Sequence, residues 1–238
     1  IMKTIAAKHQ SPVQKAVFWF VIGFSLFFIY PMLYVIINSL RESADITRFP
    51  TGFPESFYLG NYVKAWKEME FPKVFFNTFV VTSAGVVGII LTSSMCAYML
   101  ARTDSKLSWI IYSIFTFALV IPFQIIMVPI AVLASDFNLT SISGIIPMYW
   151  GLGCPTAIFM FHGFVKSVPR ELEESAAIGG AGRFYTFFVI VLPLLRTIIA
   201  TIAVIDALWL WNDFLLPLLV VREGTIQLAQ MRFNGQFL

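Results

Sequence analysis

The amino-acid sequence predicts an all-α integral membrane protein, and its composition and its apolar patterning both support this. Of the 238 residues, 58% are hydrophobic and 12% are charged, compared with roughly 45–50% and about 25% in soluble domains. The apolar runs are long and continuous, whereas the strands of a membrane β-barrel would alternate apolar and polar residues. Because lipid offers no hydrogen-bond partner, a chain that crosses it in continuous runs must be helical.

Five apolar segments are long enough to cross the hydrocarbon core of a membrane, which takes about 20 residues. Pro31 is expected to kink the first of them, because proline removes one helical hydrogen bond. The third contains Pro122 and Pro129. We see no internal repeat and no second soluble domain, so residues 1–238 are predicted to form a single transmembrane domain. The predicted spans lie at about 16–39, 76–101, 107–134, 142–165 and 187–210.

The basic residues predict which side of the membrane each loop faces. Eight of the sixteen lysines and arginines lie before the first span, between the second and third, and between the fourth and fifth, whereas the short loop after the third span has none. By the positive-inside rule, the N-terminus and these two loops are cytoplasmic, and the loop at 40–75 is external. That loop is rich in Pro, Gly and aromatic residues, which indicates either an ordered cap with short helices or a simple connector. The basic residues concerned are Lys3, Lys8, Lys15, Arg102, Lys106, Lys166, Arg170 and Arg183.

The loop at 167–186 carries three glutamates and two arginines between two apolar runs. Ser167 is predicted as the N-cap of a short helix, with Pro169 in its first turn. Three glutamates follow, and they favour the positive end of the helix dipole. Gly179 and Gly180 are expected to end the helix, because glycine readily adopts the left-handed conformation of a C-terminal cap. The three glutamates are Glu171, Glu173 and Glu174.

A narrow stripe of apolar and small residues follows this predicted helix, at Leu172, Ala176 and Gly179. A short helix, a glycine turn and a second helix starting near Gly182 would form a protruding knob that another surface can approach closely. An ordinary solvated loop is the alternative interpretation, and the residues alone leave the two equally open.

The segment "ELEESAAIGGAG…FFVIVLPLLR" resembles the EAA loop of bacterial ABC-importer permeases. Glu174, Ser175 and Ala176 match E-A-A with serine in the middle, Gly180 matches the glycine of the motif, and Pro193 ends its I-x-L-P part. Two positions depart from the family pattern. Gly179 stands where the family often has Asp, which removes a potential ion pair with the ATPase, and Thr197 stands where it often has Pro.

Other segments resemble the carbohydrate branch of these permeases: "NTFVVT", "AYMLAR" and "WNDFLLPLL". The chain is similar to the shorter, maltose-type second permease of a type I importer. The resemblance implies a helical permease fold with six spans. Together with the five predicted spans and a cytoplasmic N-terminus, this leads us to expect a sixth span beyond Leu238.

The resemblance also implies a function: a permease subunit of an ATP-driven di- or oligosaccharide importer in the bacterial cell membrane. Its implied partners are a second, different permease, ATP-binding subunits and an extracytoplasmic sugar-binding protein. ATP and Mg would be bound by the partner ATPase, so no cofactor, metal site or catalytic residue is expected in this chain. We also expect that the chain binds no nucleic acid. The residues implied to couple it to the ATPase are Pro169, Leu172, Glu174, Ala176, Gly180 and Pro193.

The outer end of the fifth predicted span carries polar residues that could border a substrate path. Asp206, Trp209 and Asp213 lie at i, i+3 and i+7, next to Asn212, and carboxylates beside an indole can bind and stack on a sugar. An acidic residue within a span is by default a functional hypothesis. In the alternative interpretation, Asn212 and Asp213 anchor the span end and Asp206 pairs with the partner permease.

Three further features do not indicate a site, and two alternative functions would require patterns that the sequence does not show. "AIGGAG" lacks the Gly-Lys-Ser/Thr of a phosphate-binding loop, and Cys96 and Cys154 are predicted to be small residues inside apolar runs. His162 is predicted to lie near the cytoplasmic surface of the membrane and to anchor its helix there. A self-sufficient ion-coupled secondary transporter would require more spans and inverted repeats. A membrane-embedded enzyme would require clusters of His, Ser or acidic residues within the spans.

Overall fold

The computed structural model describes residues 12–54, 56–222 and 224–235, and all regular structure in these ranges is helical. The chain forms two compact units, residues 1–68 and residues 69–238.

The first unit contains a long apolar helix and two short helices. No residue of the long helix is fully buried, so most of its apolar surface is available to lipid or to another protein. Pro31 lies inside this helix without ending it. The sequence predicted short helices within the 40–75 loop, and the structure confirms them. The helices are α1 (Pro12–Ser39), α2 (Ser43–Arg48) and α3 (Gly60–Glu68).

A buried arginine orders the connection between these helices. The guanidinium of Arg41 donates to the carboxylate of Asp45 (2.7 Å) and to the side-chain oxygen of Asn38 (3.0 Å). This hydrogen bond and the positive charge of Arg41 hold the pKa of Asp45 below its ordinary value. The side chain of Asn61 donates to the backbone oxygens of Ser39 and Arg41. The polar groups at this turn therefore bond one another, and the loop is more than a connector.

The second unit contains ten helices and one π-helical segment within the described residues. They follow in the order α4 (Phe71–Arg102), α5 (Lys106–Ala118), α6 (Phe123–Asp136), α7 (Ile145–Ser167), α8 (Glu171–Ile178), α9 (Arg183–Tyr185), the π-helical segment Thr186–Val191, α10 (Leu192–Leu194), α11 (Arg196–Asn212), α12 (Leu215–Val220) and α13 (Ile226–Gly235).

The core of this unit lies between α4 and α7, with α11 packed against both. Small residues on α4 let the helices approach closely, as is typical of helix packing in membranes. At Gly88, any side chain would overlap the indole of Trp150, whose nitrogen donates to the backbone oxygen of Ala84 (3.0 Å). The thiol of Cys154 accepts a hydrogen bond from Ser93 across the same interface (3.3 Å). The seam is therefore held by shape and by a few hydrogen bonds.

Two of the predicted spans are broken. Helices α5 and α6 cover the third span and meet at an angle of 105°. The break falls just before Pro122, because proline cannot donate a helical hydrogen bond and disfavours helix at the residue before it. Pro129 is contained within α6. The fifth predicted span, 187–210, falls within two helical pieces, Arg183–Leu194 and Arg196–Asn212, which meet at 76°.

The prediction of five spans is therefore not confirmed. In the described residues, α1 and α4 are each long and apolar enough to cross a membrane, and the number rises to four if each bent pair is one span. Helix α7 has 23 residues and overlaps the fourth predicted span, but it is not among these candidates.

Candidate functional site

The charged loop forms a short helix that begins later than the sequence predicted. Helix α7 continues to Ser167, whose hydroxyl donates to the backbone oxygen of Phe164 (2.7 Å), so Ser167 is not an N-cap. Pro169 lies before the helix and not in its first turn, and it holds Val168 extended (φ −78°, ψ 123°). The chain re-enters helix after Arg170. We call residues 171–182, which comprise α8 and its glycine turn, the α8 knob.

One of the three glutamates ties the α8 knob to the end of α4. A carboxylate oxygen of Glu173 accepts from the hydroxyl of Tyr98 (2.7 Å), and the other accepts from the guanidinium of Arg102 (2.7 Å). Arg102 also donates to the backbone oxygen of Val168 (2.8 Å). The side chains of Arg102 and Glu173 are 13% and 16% exposed. This shielded, charge-assisted pair therefore fixes α8 against α4.

Sequence reasoning missed this anchor. It singled out Glu174, which is exposed, and it did not single out Tyr98 or Arg102 as partners. A signal was available, since Tyr98 and Arg102 are four residues apart at the end of an apolar helix and so share one face. The sequence alone does not show which glutamate would meet that face, because the contact joins residues more than 70 positions apart.

The glycine turn ends α8 as predicted. The N–H of Ala181 donates to the oxygen of Ala176 (2.9 Å), and the N–H of Gly180 donates to the oxygen of Ala177 (3.0 Å). This pair of bonds is the Schellman motif, in which the residue after the cap is left-handed. Gly180 has a φ of +83°, a conformation that side chains disfavour. The helix of the α8 knob therefore ends in a hydrogen-bonded glycine turn.

The outer surface of the α8 knob is partly apolar. Leu172 is 43% exposed and Ile178 is 89% exposed, and Glu174 is exposed beside them. Ala176 is half-buried, so the predicted stripe of Leu172, Ala176 and Gly179 does not form one fully exposed face. The exposed leucine, isoleucine and glutamate nevertheless provide a small mixed surface on which another protein could dock.

A helical segment connects the α8 knob to α11. We call Arg183–Leu194 the elbow segment, because it meets α11 at 76°. Its middle is π-helical, and Pro193 lies exposed near its end, where it cannot donate a helical hydrogen bond. Leu195 lies at the bend between the elbow segment and α11, and it is buried, with 1% of its surface exposed. The first part of the predicted fifth span therefore belongs to the elbow segment, and α11 begins at Arg196.

At the Asn212 end of α11, Tyr149 contacts two of the residues that were predicted to border the substrate path, Trp209 and Asp213. The hydroxyl of Tyr149 donates to the carboxylate of Asp213 (2.7 Å), and the ring of Tyr149 meets the indole of Trp209 edge to face, with centroids 5.7 Å apart. Asp213 follows the last residue of α11 and also accepts from the N–H of Leu215 (3.1 Å). Asn212 is exposed, and its side chain donates to its own helix.

Asp206 is set apart from these residues. It is 4% exposed and lies on the buried face of α11 with Ile202 and Leu210, whereas Trp209 is 38% exposed. One carboxylate oxygen of Asp206 has no hydrogen-bond partner among the described residues. Asp206 is therefore much less accessible than Trp209 in this structure. Sequence reasoning also missed Tyr149, which lies on α7 and is 1% exposed.

His162 also differs from its prediction. It is 7% exposed and stacks on the ring of Tyr112, with centroids 3.8 Å apart, so it packs between α5 and α7 and is not an interfacial anchor.

The fold and the α8 knob define an integral membrane protein in which a helical knob is attached to the end of α4, one of the packed helices of the core. Comparison with known proteins identifies the kind of membrane protein. The chain belongs to the family of binding-protein-dependent transport system inner membrane components, whose pattern matches residues 86–237. Members of this family are membrane transport subunits, which favours transport over the membrane enzyme weighed from the sequence.

Individual relatives have names that agree with this assignment. The probable starch degradation products transport system permease protein AmyC of Thermoanaerobacterium thermosulfurigenes is 38% identical over 94% of this chain and 84% of its own length. The multiple sugar-binding transport system permease protein MsmG of Streptococcus mutans is 34% identical over 87% and 77%.

A solved structure shares the fold. The crystal structure of a bacterial ABC transporter involved in the import of the acidic polysaccharide alginate aligns with a TM-score of 0.81. The alignment covers 98% of this chain and 82% of that chain, with 20% of the residues identical. The predicted ABC-importer permease fold is therefore confirmed.

Proposed function

We propose that this chain is one permease subunit of an ATP-driven importer of di- or oligosaccharides. It forms half of the translocation path together with a second, different permease, and separate subunits bind ATP and Mg and hydrolyse the ATP. The names of its relatives support the sugar class, since AmyC is named for starch degradation products and MsmG for multiple sugars. An extracytoplasmic sugar-binding protein supplies the cargo.

The observation that carries this proposal is the anchoring of the α8 knob. A surface that couples ATP hydrolysis to transport must resist being pushed in, or the motion is lost locally. Glu173 ties α8 to Tyr98 and Arg102 on α4, and α4 packs against α7 and α11. A displacement of α8 therefore moves the bundle, and the pair of permeases shifts between inward-facing and outward-facing packings.

The proposed coupling surface comprises the knob and the residues that shape it. Pro169 keeps the chain extended before α8, Gly180 closes the turn, and Pro193 lies near the end of the elbow segment. Leu172 and Glu174 are exposed for contact with the ATPase, and the half-buried Ala176 lies behind them. The basic residues in the adjoining loops support a cytoplasmic location for this surface and for the N-terminus.

The proposed substrate path passes the far end of α11. Trp209 and Asn212 are exposed there, and Tyr149 holds Asp213 beside them. An exposed indole next to hydrogen-bonding groups suits a sugar, which has apolar ring faces and polar edges. Asp206 is buried against the bundle, so it meets the cargo only in a second packing in which α11 has moved from its neighbours.

Two substitutions test the coupling role. Glu174→Lys reverses a charge on the exposed face of α8, and Gly180→Leu adds a side chain at a φ of +83°. We expect both variants to insert and assemble but to lose sugar uptake and the stimulation of ATP hydrolysis by the binding protein. The readout is ATPase activity of the reconstituted complex with and without binding protein and sugar.

Gly163→Leu is the control for the glycine substitution, because Gly163 lies on α7, outside the α8 knob, and a Cβ there meets no atom within 4 Å. Normal stimulated ATPase activity in both test variants would refute the coupling role. Sugar uptake by the chain without any ATPase would instead favour a self-sufficient ion-coupled transporter.

A further inference from the structure

Two adjoining cavities lie where the Arg102 end of α4 meets the α8 knob and the elbow segment. The first has a volume of about 290 Å³ and is the more polar of the two, because its lining includes the charged side chains of Arg102, Glu173 and Arg183. The second has a volume of about 330 Å³ and is lined almost entirely by apolar groups, including Met95 and Phe187. They share the walls formed by Tyr98, Met99 and Arg183.

The polarity of this joined cavity changes along the axis of α4. Helix α4 is apolar enough to cross a membrane, and Arg102 is its last residue. Met95 lies seven residues earlier, which is about 10 Å deeper along the helix. The polar compartment therefore lies at the membrane surface, and the apolar compartment extends toward the hydrocarbon interior. This is the order of polar and apolar groups in a phospholipid.

The charge of the polar compartment comes from Arg183. Arg102 is neutralised by Glu173, since the two groups form an ion pair at 2.7 Å. Among the described residues, no carboxylate forms an ion pair with the exposed Arg183. A guanidinium that faces a cavity at the membrane surface attracts a phosphate group, which it binds through paired N–H donors.

The apolar compartment is open at its side. Met99 is 49% exposed and Phe184 is 72% exposed, whereas Phe187 is 3% exposed and forms the floor against the ring of Tyr98, with centroids 5.1 Å apart. An acyl chain could therefore enter sideways from the bilayer. The elbow segment meets α11 at 76°, so it lies near the membrane plane when α11 crosses it.

We propose that this joined cavity binds one anionic phospholipid from the surrounding leaflet. Arg183 binds the phosphate, and Met95, Met99 and Phe184 contact the first part of one acyl chain. The bound lipid fills the gap between α4 and the elbow segment. It thereby adds a second connection between the bundle and the segment that leads to the α8 knob, besides the pair of Glu173 and Arg102.

Native mass spectrometry of the delipidated full-length chain, purified in its complex, tests this proposal. Phosphatidylglycerol and phosphatidylcholine with identical acyl chains are titrated separately. We expect one phosphatidylglycerol to bind about fivefold more tightly than phosphatidylcholine, because one basic side chain near the membrane surface contributes that much toward an anionic lipid. Arg183→Gln should abolish the difference, and Arg183→Lys should retain part of it.

Two further variants locate the site. Met99→Trp places bulk in the apolar compartment and should weaken binding of both lipids severalfold. Arg196→Gln is the matched control, since Arg196 is the first residue of α11, beyond the elbow segment, and lines neither cavity, and it should leave the preference unchanged.

Three outcomes would overturn the proposal. The first is equal binding of the two lipids to the unmodified chain. The second is an equal loss of preference in Arg183→Gln and Arg196→Gln, which would indicate a diffuse surface charge. The third is displacement of the lipid by millimolar inorganic phosphate, which would indicate a simple anion site.

Discussion

Exchanging each of two neighbouring glutamates for glutamine should separate the anchoring of the α8 knob from its exposed surface. Glu173 accepts hydrogen bonds from Tyr98 and Arg102, while Glu174 is exposed. Glu173→Gln keeps the shape of the side chain but removes its charge. Glu174→Gln makes the same chemical change one residue away, so it is the matched control.

The magnitude follows from the number and the kind of bonds that change. A hydrogen bond to a charged group contributes about 1.5–3 kcal/mol and a neutral one about 0.5–1.5 kcal/mol. Glu173→Gln weakens two such bonds by about 1 kcal/mol each and leaves Arg102, which is 13% exposed, without its counter-charge. The attachment of α8 should therefore weaken by about 2–4 kcal/mol. For the exposed Glu174→Gln, the expected change is within about 0.5 kcal/mol.

Hydrogen–deuterium exchange of the segment 171–178 measures this difference directly. A loss of about 2 kcal/mol in the free energy of local opening corresponds to exchange that is about 30-fold faster. Glu173→Gln should show this acceleration together with reduced stimulation of ATP hydrolysis, and Glu174→Gln should show neither. Equal exchange of α8 in the two variants would refute the anchoring argument.

Two further predictions concern the bundle. In Gly88→Ala, the new methyl group should overlap the indole of Trp150 and displace its hydrogen bond to Ala84. The free energy of unfolding should fall by about 2–4 kcal/mol, and the Tm of the solubilised chain should fall with it. Gly151→Ala places its methyl group in open space and should leave the Tm unchanged, whereas an unchanged Tm in Gly88→Ala would disprove the close packing. Trp209→Ala should raise the KM for sugar uptake about three- to tenfold with assembly retained, because it removes about 1 kcal/mol of stacking on the cargo. Trp209→Phe should keep the KM close to the wild-type value. A wild-type KM in the alanine variant would exclude Trp209 from the path.

Features that depend on neighbouring residues were predictable from the sequence. The apolar runs predicted helices, because they are continuous over 20 or more residues. Gly180 was expected to be left-handed because two adjacent glycines follow a short helix, and its φ is +83°. The short helices in the 40–75 loop were expected from its composition.

Features that depend on distant residues were not predictable. The choice of Glu173 as the anchor depends on where the end of α4 lies in space. Tyr149 joins Trp209 and Asp213 from another helix. The break before Pro122 was hidden for a different reason: an apolar run continues through it, and hydropathy does not distinguish one straight helix from two bent ones.

The bend at Leu195 makes the elbow segment a lever. Its twelve residues, Arg183–Leu194, extend about 18 Å from the bend. A rotation of about 10° at Leu195 would therefore carry Arg183 through about 3 Å, roughly the length of a hydrogen bond. The fulcrum itself is held in place, because Leu195 is 1% exposed and buried in the core. A movement at the α8 knob large enough to make or break a contact thus requires only a small rotation at the root of α11.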